Sequence, residues 1–213
     1  MKLRHARHLL PNVPIARSAP FGAACFTRFG AQSLRDAADF VCECDGKPGP
    51  IPDDPRSTLL HGTGTIGAKQ GLLAALAAES GGEDIQLIVA FCEMRLPEMR
   101  ADRADAPLHR PKTLPLAVCW LRCQDRRLQI GESSGREDRV VDPLSETLVD
   151  PRELPAHRVR LYESFVVDWC RALEISPREF ARLRAWQLRV NANSPLFEDL
   201  LGHSLPPDYR PAM

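Results

Sequence analysis

Gly62-Thr63-Gly64-Thr65-Ile66-Gly67-Ala68-Lys69 runs without interruption into Gln70-Gly71-Leu72-Leu73-Ala74-Ala75-Leu76-Ala77-Ala78-Glu79. How this stretch is read decides the fold. Its second part is rich in Ala and Leu, the strongest helix formers, and Ser80-Gly81-Gly82 comes next as a stop signal, so a helix is expected over residues 68–79. Its first part has the spacing of a dinucleotide loop, Gly62-x-Gly64-x-x-Gly67, and Glu93 closes the next apolar run where a ribose-binding carboxylate would stand. That fingerprint requires a buried strand directly before the first glycine. The preceding residues are Asp53-Asp54-Pro55-Arg56-Ser57-Thr58-Leu59-Leu60-His61, few of them strand-like. A nucleotide-binding oxidoreductase is therefore an alternative that needs a strand ending at His61 and a parallel sheet. A P-loop fails on spacing, because Ala68 separates Gly67 from Lys69 and Gln70 stands where a Ser or Thr would hold magnesium.

Working outward, Ser33-Leu34-Arg35-Asp36 reads as a helix start, with Leu34, Ala37, Ala38 and Val41 on one stripe. Residues 45–55 turn to Gly, Pro and Asp and predict a loop. Ile85-Gln86-Leu87-Ile88-Val89-Ala90-Phe91 predicts a buried strand. Residues 94–113 are polar and proline-broken, a long surface loop of the kind that walls a site. Residues 116–121 and 127–130 flank Gln124-Asp125 as a β-hairpin, with residues 133–138 exposed. Arg158-Val159-Arg160-Leu161 predicts a further strand before a helix carrying Phe165, Val166 and Trp169. Ser176-Pro177-Arg178-Glu179 is a capping box, and Ser194-Pro195 opens another helix that Gly202 closes. The expected class is α+β, with helices first and last and strands in the middle.

With 213 residues, of which 44% are hydrophobic, the chain suits one globular domain and is short for two. We expect an N-terminal extension at 1–28, one domain at 29–202 and a tail at 203–213. Twenty-eight basic residues balance twenty-eight acidic ones, so neither nucleic acid nor an anionic membrane is an expected partner. The basic N-terminus lacks the apolar core of a secretory signal and no apolar run reaches membrane-spanning length, so a cytoplasmic location is expected. Seven scattered cysteines, an odd number, suit reduced thiols better than a disulfide framework. Neither Cys42-Glu43-Cys44 nor Cys119-x3-Cys123 has zinc-site spacing, so neither a metal nor a cofactor is expected.

The order of features across residues 29–201 resembles a bacterial branch of the transglutaminase-like superfamily. The shared motifs are Asp36-Ala37-Ala38-Asp39-Phe40-Val41 on an early helix, Gly62-Thr63-Gly64-Thr65-Ile66-Gly67-Ala68-Lys69 opening a long Ala/Leu helix, a buried strand through Glu93, Leu114-Pro115-x-Ala117 leading into Cys119-x-Leu121, and a helical tail from Ser176 to Trp186. The resemblance implies a papain-like core, with N-terminal helices packed on a small antiparallel sheet. It also implies a Cys–His–Asp triad. In such a site a cysteine at a helix N-terminus is held as thiolate by the helix dipole, a strand histidine takes its proton, and an aspartate orients the imidazole. Here the three addresses hold Ile66, Val118 and Gln129, so acyl transfer by that route is not available.

What the resemblance leaves is binding. His61, Thr65, Gly67, Lys69, Glu93, Trp120 and Gln129 are the ligand-binding candidates, around a helix start suited to anions and a slot lined by Val118, Trp120 and Gln129. Lys69 has a simpler reading, as a partner of Glu93 or a solvated side chain. Trp120 has one as a core anchor, and strand alternation turns Cys119 into the core. The leading expectation is a pseudoenzyme that binds a small molecule, a peptide or a partner protein, as a homo- or hetero-oligomer. The alternative is an enzyme that reuses the cleft for non-thiol chemistry through Lys69, His61, Gln129, Glu93 or Asp142, and the loop histidine His109 could in principle also reach in.

Overall fold

The computed structural model describes residues 8–95, 113–131, 143–176 and 178–183. Helix α1 (Pro20–Phe29) starts on a proline, and Gly30 closes it in the left-handed region at φ 68°. Its first-turn N–H groups on Phe21 and Gly22 donate to the Glu79 carboxylate, each at 3.0 Å, an anion at the positive end of the helix. Helix α2 (Leu34–Glu43) carries the expected capping box, in which Ser33 Oγ accepts from the Asp36 N–H and Asp36 accepts from the Ser33 N–H. Helix α3 (Pro55–His61) is capped by Asp54, which accepts from the Arg56 N–H at 3.0 Å. Helix α4 (Ile66–Glu79) is capped by Thr65, whose Oγ1 accepts from the Ala68 N–H at 3.1 Å. Residues 67–77 of α4 are all buried, so it is a central helix rather than an amphipathic surface one.

The sheet consists of β1 (Ile85–Arg95), β2 (Thr113–Cys123), β3 (Arg126–Leu128) and β4 (Ser145–Leu148), in the order β3-β2-β1-β4. All neighbours are antiparallel, with Val89 opposite Cys119 and Ala90 opposite Val118. Helix α5 (Leu154–Ala172) comes next, and a helical segment at 178–183 begins from the Ser176/Glu179 box. Alternation gives the sheet two unlike faces. Leu87, Val89, Phe91, Ala117, Cys119 and Leu121 join the leucines of α4 and the buried side of α5 in the main core, where Phe91 stacks on Phe165 at 4.6 Å. Ile88, Ala90, Cys92, Leu116, Val118 and Trp120 form a second cluster on the other face. Across that second face Arg127 of one edge strand reaches Glu146 of the other at 2.7 Å, its guanidinium 5.1 Å from the Trp120 ring centroid.

The architecture is thus α+β on a four-stranded antiparallel sheet, and several expectations need correction. Residues 158–161 are not a strand but part of α5. Their Val-Arg-Leu alternation satisfies a two-residue period, yet Leu154, Arg158, Tyr162, Val166 and Trp169 fall on one buried helical stripe, and burial of that stripe decides. The predicted loop at 45–55 ends in α3, because Asp54-Pro55 is a helix cap leading into a first-turn proline rather than a breaker. A helix therefore ends at His61, the sheet is antiparallel, and the two requirements of the nucleotide reading are not met. Helix α4 begins at Ile66, and β1 runs on to Arg95. Leu10, Ile15, Phe21 and Cys25 share one core with α2, α4 and the sheet. Residues 96–112, 133–138 and 194–202, which carry the predicted site wall, exposed turn and last helix, lie outside the described residues. Among the described residues no helix is long and apolar enough to cross a membrane.

Candidate functional site

The N-terminus of α4, where the sequence concentrates its candidates, is packed against a buried ion pair. Asp53 is 4% exposed and sits in the left-handed region at φ 61°, a conformation aspartate tolerates better than most residues. Its Oδ1 accepts from Thr65 Oγ1 and from Arg158 Nη1, the latter at 2.7 Å. Arg158 Nη2 donates to the Ala117 carbonyl of β2 at 2.6 Å. A Cβ at position 67 would land on Asp53 Oδ1 and Arg158 Nη1, so only glycine lets the pair lie against the first turn of the helix. Gly62 closes α3 at φ 66°. The glycines that resemble a phosphate cradle thus serve a helix stop and a close approach, and the positive end of α4 already faces a carboxylate from its own chain.

The next two residues are also turned inward. Lys69 is 2% exposed, and its Nζ donates to the carbonyls of Cys44 at 2.8 Å and Gly131 at 3.5 Å. It is neither solvated nor a partner of Glu93, whose Oε1 instead accepts from Trp169 Nε1 at 3.2 Å. Gln70 is wholly buried and clamps the backbone of Ile130 from both sides. Its Nε2 donates to the Ile130 carbonyl at 2.6 Å, and its Oε1 accepts from the Ile130 N–H at 3.3 Å. The segment after β3 is thereby tied to α4 as a strand is tied to its neighbour.

Of the triad addresses, Ile66 is the first residue of α4, half-buried and in neither apolar cluster. Val118 is 8% exposed and lies on the outer face beside Trp120, while Cys119 points into the main core as alternation requires. Gln129 donates from Nε2 to the Cys119 carbonyl at 3.3 Å. The structure therefore brings Val118 and Trp120 together, and brings Thr65 and Gly67 together around Asp53. It leaves His61 exposed at the end of α3. His109 and Asp142 lie outside the described residues.

Asp53 and Arg158, which organise this end of α4, are not among the candidates the sequence offers. Arg158 has a signal, being a single arginine on an otherwise apolar i, i+4 stripe between Leu154 and Tyr162. Asp53 has none beyond its place in a Gly/Pro loop. None of the seven cysteines is in a disulfide, and burial pushes the thiols of Cys25, Cys44 and Cys170 up to about 11. They are protonated at neutral pH and poor nucleophiles. Among the described residues no three His, Cys, Asp or Glu side chains gather as a metal would need. Compared with protein-family models, with curated proteins and with solved structures, the chain matches none.

Proposed function

We propose that this chain is a transglutaminase-like domain without thiol chemistry that works by binding a small molecule, a peptide or a partner protein. The collinear motifs around α2, α4 and β2 support the family placement. The observation that carries the loss of chemistry is residue 66. The first position of α4, where the helix dipole would hold a thiolate, is Ile66, and the positive end of the helix is met internally by the Asp53 carboxylate, itself paired with Arg158. Val118 and Gln129 supply no base and no carboxylate to replace the missing partners.

Two measurements test this. Native protein offered amide and ester acyl donors is expected to show no turnover above background, and turnover that persists in Cys119→Ala overturns the non-catalytic reading. The family placement is tested by combining Ile66→Cys, Val118→His and Gln129→Asp, which asks whether an outer-face residue at 118 can reach position 66. The introduced thiol is expected to titrate below the ordinary value of about 8.5. A thiol at or above that value overturns the assignment of the addresses.

A further inference from the structure

At the other end of α4 lies an open cavity of about 470 Å³, bounded by α4, the start of β1 and the segment after β4. We propose that it binds a small amphiphilic carboxylate, a molecule with an apolar body and one terminal anionic group. This does not rest on the transglutaminase-like reading, because none of the residues at the α4 N-terminus lines it.

The volume falls in the range of small-molecule sites. Its origin is in the sequence. On this side α4 presents Ala74, Ala75 and Ala78, whose side chains end at Cβ and leave space beside the edges of Ile85 and Leu87. The walls are firm. Ala74 and Ala75 belong to the buried part of α4, and the Val149 N–H donates to the Leu87 carbonyl at 3.0 Å, which carries the β1–β4 pairing past the end of β4.

The mouth is polar and ordered. Asp150 Oδ1 accepts from the Arg152 N–H at 2.8 Å, and the Glu153 N–H donates to the Asp150 carbonyl at 3.0 Å, so residues 150–153 form a fixed turn. That turn carries the Arg152 side chain, which is exposed and makes no ion pair among the described residues. Asp150 has one oxygen committed to the turn, whereas the Arg152 guanidinium offers its donor fork to an arriving carboxylate. An apolar floor with a cation at the rim matches an acid with a hydrocarbon tail better than a neutral or cationic amphiphile.

The test titrates the full chain with octanoate, octan-1-ol and octan-1-amine by calorimetry, and monitors the alanine methyl groups by NMR. Octanoate is expected to bind at one site and to shift the methyls of Ala74, Ala75 and Ala78. Arg152→Gln should weaken it about five- to tenfold. Ala78→Phe, at an exposed position, should block the mouth and abolish binding while leaving the thermal unfolding curve in place. Absence of octanoate binding, equal or tighter binding of the alcohol or the amine, or unchanged binding in Ala78→Phe would each overturn the proposal.

Discussion

The carboxylate of Asp53 and the guanidinium of Arg158 are 4% and 2% exposed at the side chain, with their contact at 2.7 Å. Such a pair adds little net stability over an apolar pair of the same shape, but removing one member exposes the desolvation of the other. Asp53→Ala should therefore lower unfolding free energy by about 3–5 kcal/mol, and Asp53→Ala combined with Arg158→Met should recover much of the loss. Urea denaturation of the two variants checks both. A double variant as unstable as the single one would mean that Arg158 stabilises through the Ala117 carbonyl and not through Asp53. At this scale the sequence shows which residues are out of the ordinary, Thr65, Gly67 and Lys69 among them, but not which way they face. Each reads as open to a ligand, and each is consumed by a partner contributed from elsewhere in the chain: Asp53, Arg158 and the Cys44 carbonyl.

The elements that local chemistry dictates are legible. The Ser33–Asp36 box, the Ala/Leu run of α4, the apolar run of β1 and the β2–β3 hairpin all fold close to where the residues place them. The illegible ones lack a periodic signature of their own. Helix α1 sets Ala23 and Ala24 among glycine, threonine and phenylalanine, so no Ala/Leu run announces it, and it depends on Glu79 to satisfy its first turn. Strand β4 is four mostly exposed residues that exist because β1 offers an edge. Helix α5 reads short in the sequence because its first half mimics strand alternation. Gln70 belongs to the same lesson, since its amide clamps a segment without enough length to hold itself to the sheet. Gln70→Ala should orphan the buried Ile130 N–H and carbonyl and lower stability by about 1–3 kcal/mol. Hydrogen exchange at Ile130 is expected to rise with it. An unchanged rate would mean that β3 alone holds this segment.

For the molecule as a whole, three thiols that are wholly or partly buried set a pH limit. Cys25, Cys44 and Cys170 each move from 9.0 to about 11, chiefly because burial disfavours the thiolate. For Cys44, nearby Lys69 pulls the other way and is outweighed. Between those two values the unfolded chain has released protons that the folded chain still holds, so stability falls as pH rises. The contribution is intact below about pH 9 and drains away towards pH 11. Under reducing conditions the Tm should therefore be insensitive to these thiols near neutrality and drop through that alkaline window. Replacing Cys25 and Cys170 by alanine should flatten the drop, and an equally steep loss in that variant would assign it to other groups.

The Asp53–Arg158 contact also has a consequence in time. Its two residues are 105 positions apart, so closing it requires α4 and all four strands between them to be made and carries the slow ordering of a long loop. During synthesis α4 can coil from its own alanines and leucines well before Arg158 exists, leaving Asp53 against its first turn without the guanidinium. The ion pair is thus a late latch, fastening a segment made before α4 to a helix made after all four strands.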